Sequence, residues 1–123
     1  MLVDTRCTDI ELISCTPLLE GAASSAIIKI WKNKTYRFIS AYCSPNPARR
    51  VQMLNDLIPL IDKDTILGGD FNCVTDTSLD LRRDSASPYS NEGADTINAA
   101  TAAHNLRDET RISAGNEFVY TYI

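Results

Sequence analysis

Residues 65–72 read Thr65-Ile66-Leu67-Gly68-Gly69-Asp70-Phe71-Asn72 and carry the clearest structural signal in the chain. The short apolar start is typical of a strand buried on both faces, and the two glycines predict its end. In extended backbone, side chains two residues apart point the same way. Asp70 and Asn72 are therefore expected to project together from the end of this strand, while Phe71 turns back into the core. The glycines also permit close approach by a large ligand such as a phosphodiester.

A β-hairpin is predicted upstream of this segment. Residues 26–31 are rich in β-branched side chains, residues 32–34 have the composition of a turn, and residues 35–42 follow as the returning strand. Residues 1–16 have weak periodicity, and Pro17 is expected to interrupt whatever precedes it.

A helix is predicted after the Pro/Asn loop at residues 44–47. Five apolar residues recur there at helical spacing, namely Val51, Leu54, Leu57, Ile58 and Ile61. Pro59 is expected to end or kink this helix near its last turn.

The second half of the chain contains a long polar segment, residues 75–93, which predicts a loop. Residues 94–104 predict a helix with a left-handed cap at Asn105, and residues 118–122 predict a last strand. The predicted order is hairpin, helix, strand, long loop, helix, strand. This order indicates an α/β or α+β sandwich.

Composition restricts the class of protein. With 123 residues, 44% hydrophobic and 23% charged, the chain predicts one soluble globular domain. No apolar run is long enough for a membrane span, and the start of the chain has no secretory signal, so a nuclear or cytoplasmic location is expected rather than secretion. Four dispersed cysteines predict reduced thiols. The net charge of −4 predicts that any contact with nucleic acid is local or metal-assisted.

The pair Asp70 and Asn72 is the candidate for chemistry. A carboxylate can accept a proton from a water nucleophile, and an amide can donate a hydrogen bond to a phosphoryl oxygen. The alternative is a strand-end turn in which both side chains cap backbone groups. Cys73, which follows directly, is expected to be a small buried apolar residue rather than a nucleophile.

Other motifs occur in a fixed order around Gly-Gly-Asp-Phe-Asn-Cys at residues 68–73. Upstream, a strand ends in Tyr42 just before the Pro/Asn loop. The downstream motifs are Ser78-Leu79-Asp80, Leu106-Arg107-Asp108 with Arg111, and Phe118-Val119-Tyr120-Thr121-Tyr122. This ordered series resembles the endonuclease/exonuclease/phosphatase superfamily over residues 26–122. Within it, the chain looks most like the endonuclease domains of non-LTR (LINE-type) retrotransposons.

The resemblance implies part of a four-layer α/β sandwich of the DNase I-like type. It implies that Asp70 orients or deprotonates the attacking water, that Asn72 holds a phosphate oxygen, and that Tyr42 contacts the scissile phosphate. The implied cofactor is Mg²⁺ or Mn²⁺, with Asp70 and Asn72 as candidate ligands. The implied partners are DNA and a reverse transcriptase domain in the parent polyprotein.

Further candidate substrate contacts are Asn46, Arg82, Arg83 and Tyr122. Asn46 stands four residues after Tyr42, whereas abasic-site endonucleases have an asparagine three residues after the tyrosine. The arginine pair and Arg49-Arg50 at the start of the helix are both candidates for contact with a DNA backbone, although paired arginines are more often simple solvated charge. Tyr122 is equally typical of a core strand. Asp80 is expected to hold the long loop in place rather than to act in chemistry.

The resemblance also predicts that residues 1–123 form a single partial domain that lacks N-terminal and C-terminal portions. The family has an asparagine and a metal-binding glutamate before the region seen here, and neither Glu11 nor Glu20 has the surrounding pattern. Its late aspartate and Ser-Asp-His triplet would follow residue 123. Loss of such groups normally abolishes catalysis, so inactivity of the 123-residue chain itself is expected in preference to activity. The alternatives are an inositol phosphate or related phosphatase of the same fold, and a non-catalytic remnant.

Overall fold

The computed structural model describes residues 6, 9–30, 33–80 and 90–117. In these ranges a mixed four-stranded sheet is combined with three α-helices, which is a general α/β fold. The strands are β1 (Glu11–Leu18), β2 (Ala23–Ile30), β3 (Lys34–Tyr42) and β4 (Thr65–Asp70). The helices are α1 (Pro47–Leu57), α2 (Ala94–Ala103) and α3 (Glu109–Ala114), and 3-10 turns span Leu19–Gly21 and Ile58–Leu60.

The sheet has the order β1-β2-β3-β4. β2 and β3 pair antiparallel, which confirms the predicted hairpin, and β3 and β4 pair parallel with α1 between them in the chain. The last predicted strand, residues 118–122, lies outside the described residues.

β1 is a strand that the sequence pattern does not predict. The expected break at Pro17 is wrong, because Pro17 pairs with Ser24 within the antiparallel ladder. β1 is an edge strand of the described sheet. An edge strand tolerates proline because on its outer side no neighbouring strand needs a backbone N–H donor. Most β1 side chains are exposed, so the strand lacks the apolar alternation by which strands are usually predicted.

The core lies between α1 and one face of the sheet. Ala23, Ile39, Ala41 and Leu57 form a buried cluster, and Phe71 packs against it as predicted. The apolar stripe of α1 is also confirmed. Leu54 and Leu57 in α1 and Ile61 beyond it are buried, whereas Val51 and Ile58 are half-buried. Pro59 lies in the 3-10 turn that follows the helix.

β4 differs from its prediction in two respects. It extends through both glycines to Asp70, because Gly68 and Gly69 continue the pairing with β3. It is also not buried on both faces. Leu67 packs into the core, whereas Ile66 points to the opposite face and is 49% exposed.

This opposite face, on the side of the sheet away from α1, has a buried centre and exposed margins. Ala26 and Ile28 are buried there, while Leu12, Tyr42 and Ile66 are exposed. Register places all five on the same side, because Leu12 pairs with Ile28 and Ala26 with Phe38.

α2 ends as predicted, with Asn105 in the left-handed region at φ 51° and Leu106 half-buried behind it. The Leu106 N–H donates to the carbonyl of Thr101 at 2.9 Å. α3 is an additional short helix, capped by the Asp108 side chain, which accepts from the Arg111 N–H at 2.9 Å. In the described ranges, no helix has the length and apolar character needed to cross a membrane.

Candidate functional site

Tyr42 and Asp70 stand side by side at the ends of β3 and β4. They are direct partners in the parallel register, and the Cys43 N–H continues the ladder by donating to the Asp70 carbonyl at 2.8 Å. Partners in a parallel pair project from the same face, and both side chains are exposed. The carboxyl end of parallel strands is where open α/β sheets bind ligands.

Asn72 does not project alongside Asp70 as expected. Its backbone is left-handed, at φ 51°, which asparagine adopts more easily than most residues. The Asn72 N–H donates to Asp70 Oδ1 at 2.9 Å, and Asn72 Nδ2 donates to the Cys43 carbonyl at 2.7 Å. The turn therefore joins the loop after β4 to the loop after β3.

These two hydrogen bonds are of the kind that the capping alternative predicts. They do not use every donor and acceptor at the site. The second carboxylate oxygen of Asp70, and the second N–H and the carbonyl oxygen of the Asn72 amide, are not used by these two bonds. The arrangement places an exposed carboxylate, an exposed phenol and an anchored amide at one edge of the sheet. Chemically, such a set can accept a proton from water and donate hydrogen bonds to an oxyanion.

The two glycines of β4 have different roles. A Cβ on Gly69, at φ 147°, would lie within 2 Å of the Ala41 carbonyl oxygen (1.8 Å). The close approach at Gly69 is therefore made by the backbone of β3 and not by a ligand. A Cβ on Gly68 would meet nothing within 4 Å, and Gly68 shares the face of Asp70, so open space adjoins the carboxylate there.

Asn46 caps the start of α1. Its Oδ1 accepts from the Arg49 N–H at 3.1 Å, and its own N–H donates to Ser44 Oγ at 3.2 Å. The residue is exposed and belongs to the loop that follows Tyr42. Its contact with a phosphate stays a prediction. Arg82, Arg83 and Tyr122 lie outside the described residues.

Arg50 neither faces solvent nor is available to contact DNA, so both predictions for this side chain are wrong. Its side chain is buried, at 2% exposure, and donates to three backbone carbonyls. The acceptors are Pro45 at 3.2 Å, Ser90 at 2.7 Å and Glu92 at 2.6 Å. The sequence does hold a signal for this burial, because Arg50 precedes Leu54 and Leu57 by one and two helical turns.

Asp80 has a structural role, as expected. It is 7% exposed and forms an ion pair with Arg111 Nη2 in α3. Arg111 Nη1 also donates to the Glu117 carbonyl at 2.9 Å. The pair joins the loop after the candidate site to the third helix.

Two thiols lie beside the site. Burial, reinforced by the neighbouring Cys73 thiol, raises the pKa of Cys43 to about 11. Burial likewise raises the pKa of Cys73, which is half-buried. Both thiols are therefore protonated at neutral pH, which agrees with a packing role rather than a nucleophilic one.

Among the described residues, no three carboxylate, imidazole or thiol groups form a cluster suited to a metal ion. Glu11 pairs with Lys29 in β2, at the sheet edge away from β4. Glu20 lies in the turn before β2, at the same sheet end as Tyr42, whose N–H donates to the Ala22 carbonyl. Mg²⁺ commonly takes one or two carboxylates plus waters and substrate phosphates, so Asp70 and Asn72 fit an ion that is bound together with a phosphate.

Comparison of the chain with protein-family models and with curated proteins gives no match.

Proposed function

We propose that this chain carries the hydrolytic site of a DNA endonuclease of the DNase I-like type, similar to those of LINE-type retrotransposons. The observation that carries the proposal is the pairing of Tyr42 with Asp70 at the carboxyl ends of two parallel strands. These residues belong to two motifs that are distant in the sequence, and the resemblance assigns both of them to a single phosphate site. Asn72, the third residue of that assignment, is hydrogen bonded to the same two loops.

In the proposed reaction, water attacks the phosphorus in line with the leaving 3′ oxygen. Asp70 accepts one proton from the attacking water. The P–O bond to the 3′ oxygen then breaks, and that oxygen takes a proton from solvent water, which leaves a 3′-hydroxyl and a 5′-phosphate. The Tyr42 hydroxyl and the second N–H of the Asn72 amide each donate a hydrogen bond to a non-bridging phosphate oxygen. Mg²⁺, when bound, supplies neutralisation of phosphate charge, which a chain of net charge −4 needs for contact with DNA.

A non-catalytic role is the second candidate, and the hydrogen bonds of the turn favour it. Asp70 accepts from the Asn72 N–H, and Asn72 donates to the Cys43 carbonyl, so each polar side chain already has a structural partner. A turn with these bonds is stable without any ligand.

Nicking of supercoiled plasmid in Mg²⁺, with and without EDTA, tests the proposal. Asp70→Asn retains an oxygen that can accept from the Asn72 N–H but removes the base, so we expect nicking to fall by about 10²- to 10⁴-fold. Asp56→Asn, an exposed change on α1, is the matched control and should keep the wild-type rate. Turnover of soluble inositol phosphates without nicking would assign a phosphatase instead. A folded chain that does neither would assign the non-catalytic role.

A further inference from the structure

Two polar side chains connect the loops of the candidate site through a third segment of the chain. Arg50 donates to the carbonyls of Pro45, Ser90 and Glu92. Asn91 lies between the last two acceptors in the sequence, and both the oxygen and the nitrogen of its side-chain amide are hydrogen bonded to the backbone of Val74. The Val74 N–H donates to Asn91 Oδ1 at 2.9 Å, and Asn91 Nδ2 donates to the Val74 carbonyl at 3.0 Å.

These bonds form a closed ring that includes the candidate site. The ring runs from Cys43 and Pro45 in the loop after β3 to Arg50, then to residues 90–92, and then to Val74. It returns through Asn72, whose Nδ2 donates to the Cys43 carbonyl. A closed set of hydrogen bonds fixes the two site loops relative to each other more firmly than the single Asn72 bond does.

The ring is also tightly packed. Arg50 and Val74 are 2% and 6% exposed. A Cβ on Gly93, which adjoins the acceptor Glu92, would lie 2.9 Å from Leu54 Cδ1 and 3.6 Å from Arg50 Nε. Residues 90–93 therefore have little freedom to shift against α1.

We infer that Asn91 is a positioning residue for the hydrolytic site, and that Arg50 supports it by holding residues 90–92. Asn91 acts through the Val74 backbone, two residues beyond Asn72, and so sets where the Asn72 amide and the Asp70 carboxylate stand relative to Tyr42. The inference rests on the proposed function for its effect on rate, but its effect on the geometry of the turn is independent of that function.

Asn91 variants provide the test because the side chain is only half-buried. Asn91→Ala removes both bonds to Val74. Asn91→Asp keeps the acceptor for the Val74 N–H and sets a carboxylate against the Val74 carbonyl. Asn98→Ala, an exposed change on α2, is the control. Arg50→Lys keeps the charge but cannot span three carbonyls, so it tests the other half of the ring.

Two measurements are made on each folded variant, namely plasmid nicking kinetics and amide hydrogen exchange at Asn72 and Val74. For Asn91→Ala we expect kcat to fall by about 10- to 100-fold, with a smaller change in KM and faster exchange at Asn72. Asn91→Asp and Arg50→Lys should show smaller losses, and Asn98→Ala none. Exchange in β2 and β3 should stay unchanged, which separates displacement of the turn from general loss of stability.

Wild-type kcat and wild-type exchange at Asn72 in Asn91→Ala would overturn the inference, as would an equal loss of protection throughout the sheet. If the wild-type chain does not nick DNA, the proposed function fails and the exchange arm still decides the positioning role. Faster exchange at Asn72, with unchanged exchange in the sheet, would then support it, and unchanged exchange at Asn72 would overturn it.

Discussion

At the scale of single residues, the adjacent glycines of β4 differ in what each contributes. Gly69 lies at φ 147° with the backbone of Ala41 where a side chain would be, whereas Gly68 faces open space. Gly69→Ala should therefore lower the free energy of unfolding by about 3 kcal/mol, through strain and displacement of β3 from β4. Urea denaturation with a constant m-value measures this change.

Gly68→Ala is the matched control for that experiment. Because nothing lies within 4 Å of its Cβ position, we expect a change of less than about 1 kcal/mol. Equal destabilisation by the two substitutions would contradict the assignment of the close approach to Gly69.

The buried thiol of Cys43 gives a pH dependence of known sign. Its pKa is raised to about 11 in the folded chain, mainly by burial, so the unfolded chain loses this proton first as the pH rises. Stability should be complete below the ordinary thiol pKa of about 8.5 and should decline between that value and pH 11, by at most about 1.4 kcal/mol per pH unit. In Cys43→Ala the decline should be shallower, as measured by chemical denaturation across this range. Identical slopes in the two proteins would contradict the raised pKa.

At the scale of elements, the Asp80–Arg111 pair connects α3 to the loop that follows the candidate site. Removing either partner leaves the other charge largely buried, so Asp80→Ala and Arg111→Met should each cost about 2–3 kcal/mol. In the double variant the total cost should be less than the sum of the two single costs. Strict additivity in thermal or urea unfolding would show that the pair contributes no coupling energy. Arg107→Met is a suitable control because its ion pair with Glu109 is exposed.

The features of α1 differ in whether neighbouring residues in the sequence are enough to predict them. The Pro47 start of α1, its cap at Asn46 and its apolar stripe all follow from neighbouring residues, and they were predictable. Arg50, one turn before Leu54, is different. Paired arginines at the start of a helix indicate solvated charge, and a local pattern does not reveal that three carbonyls from outside the helix accept from this guanidinium.

At the scale of the whole molecule, the sheet face opposite α1 has apolar side chains exposed at its margins. Ile66, in β4, is 49% exposed there, next to the open space above Gly68. We expect the chain to self-associate through this face at high concentration, and Ile66→Lys to reduce that association. Analytical ultracentrifugation over a concentration series measures the change. Ile112→Lys, at 52% exposure on α3, is the matched control and should leave association unchanged. An equal effect of both lysines would indicate that charge alone, and not this face, governs association.

The sequence by itself determined the hairpin, the stripe of α1, the left-handed cap at Asn105 and the inward direction of Phe71, because each depends on periodicity or backbone preference within a few residues. The tertiary structure decided β1, which becomes a strand by pairing with β2 rather than by its own pattern. It also decided the direction of Asn72, since the Cys43 carbonyl that accepts from its amide is brought there only by the parallel pairing of β3 with β4. Hydrogen bonds between distant segments depend on how the helices and strands pack together, and the spacing of residues along the sequence does not predict that packing.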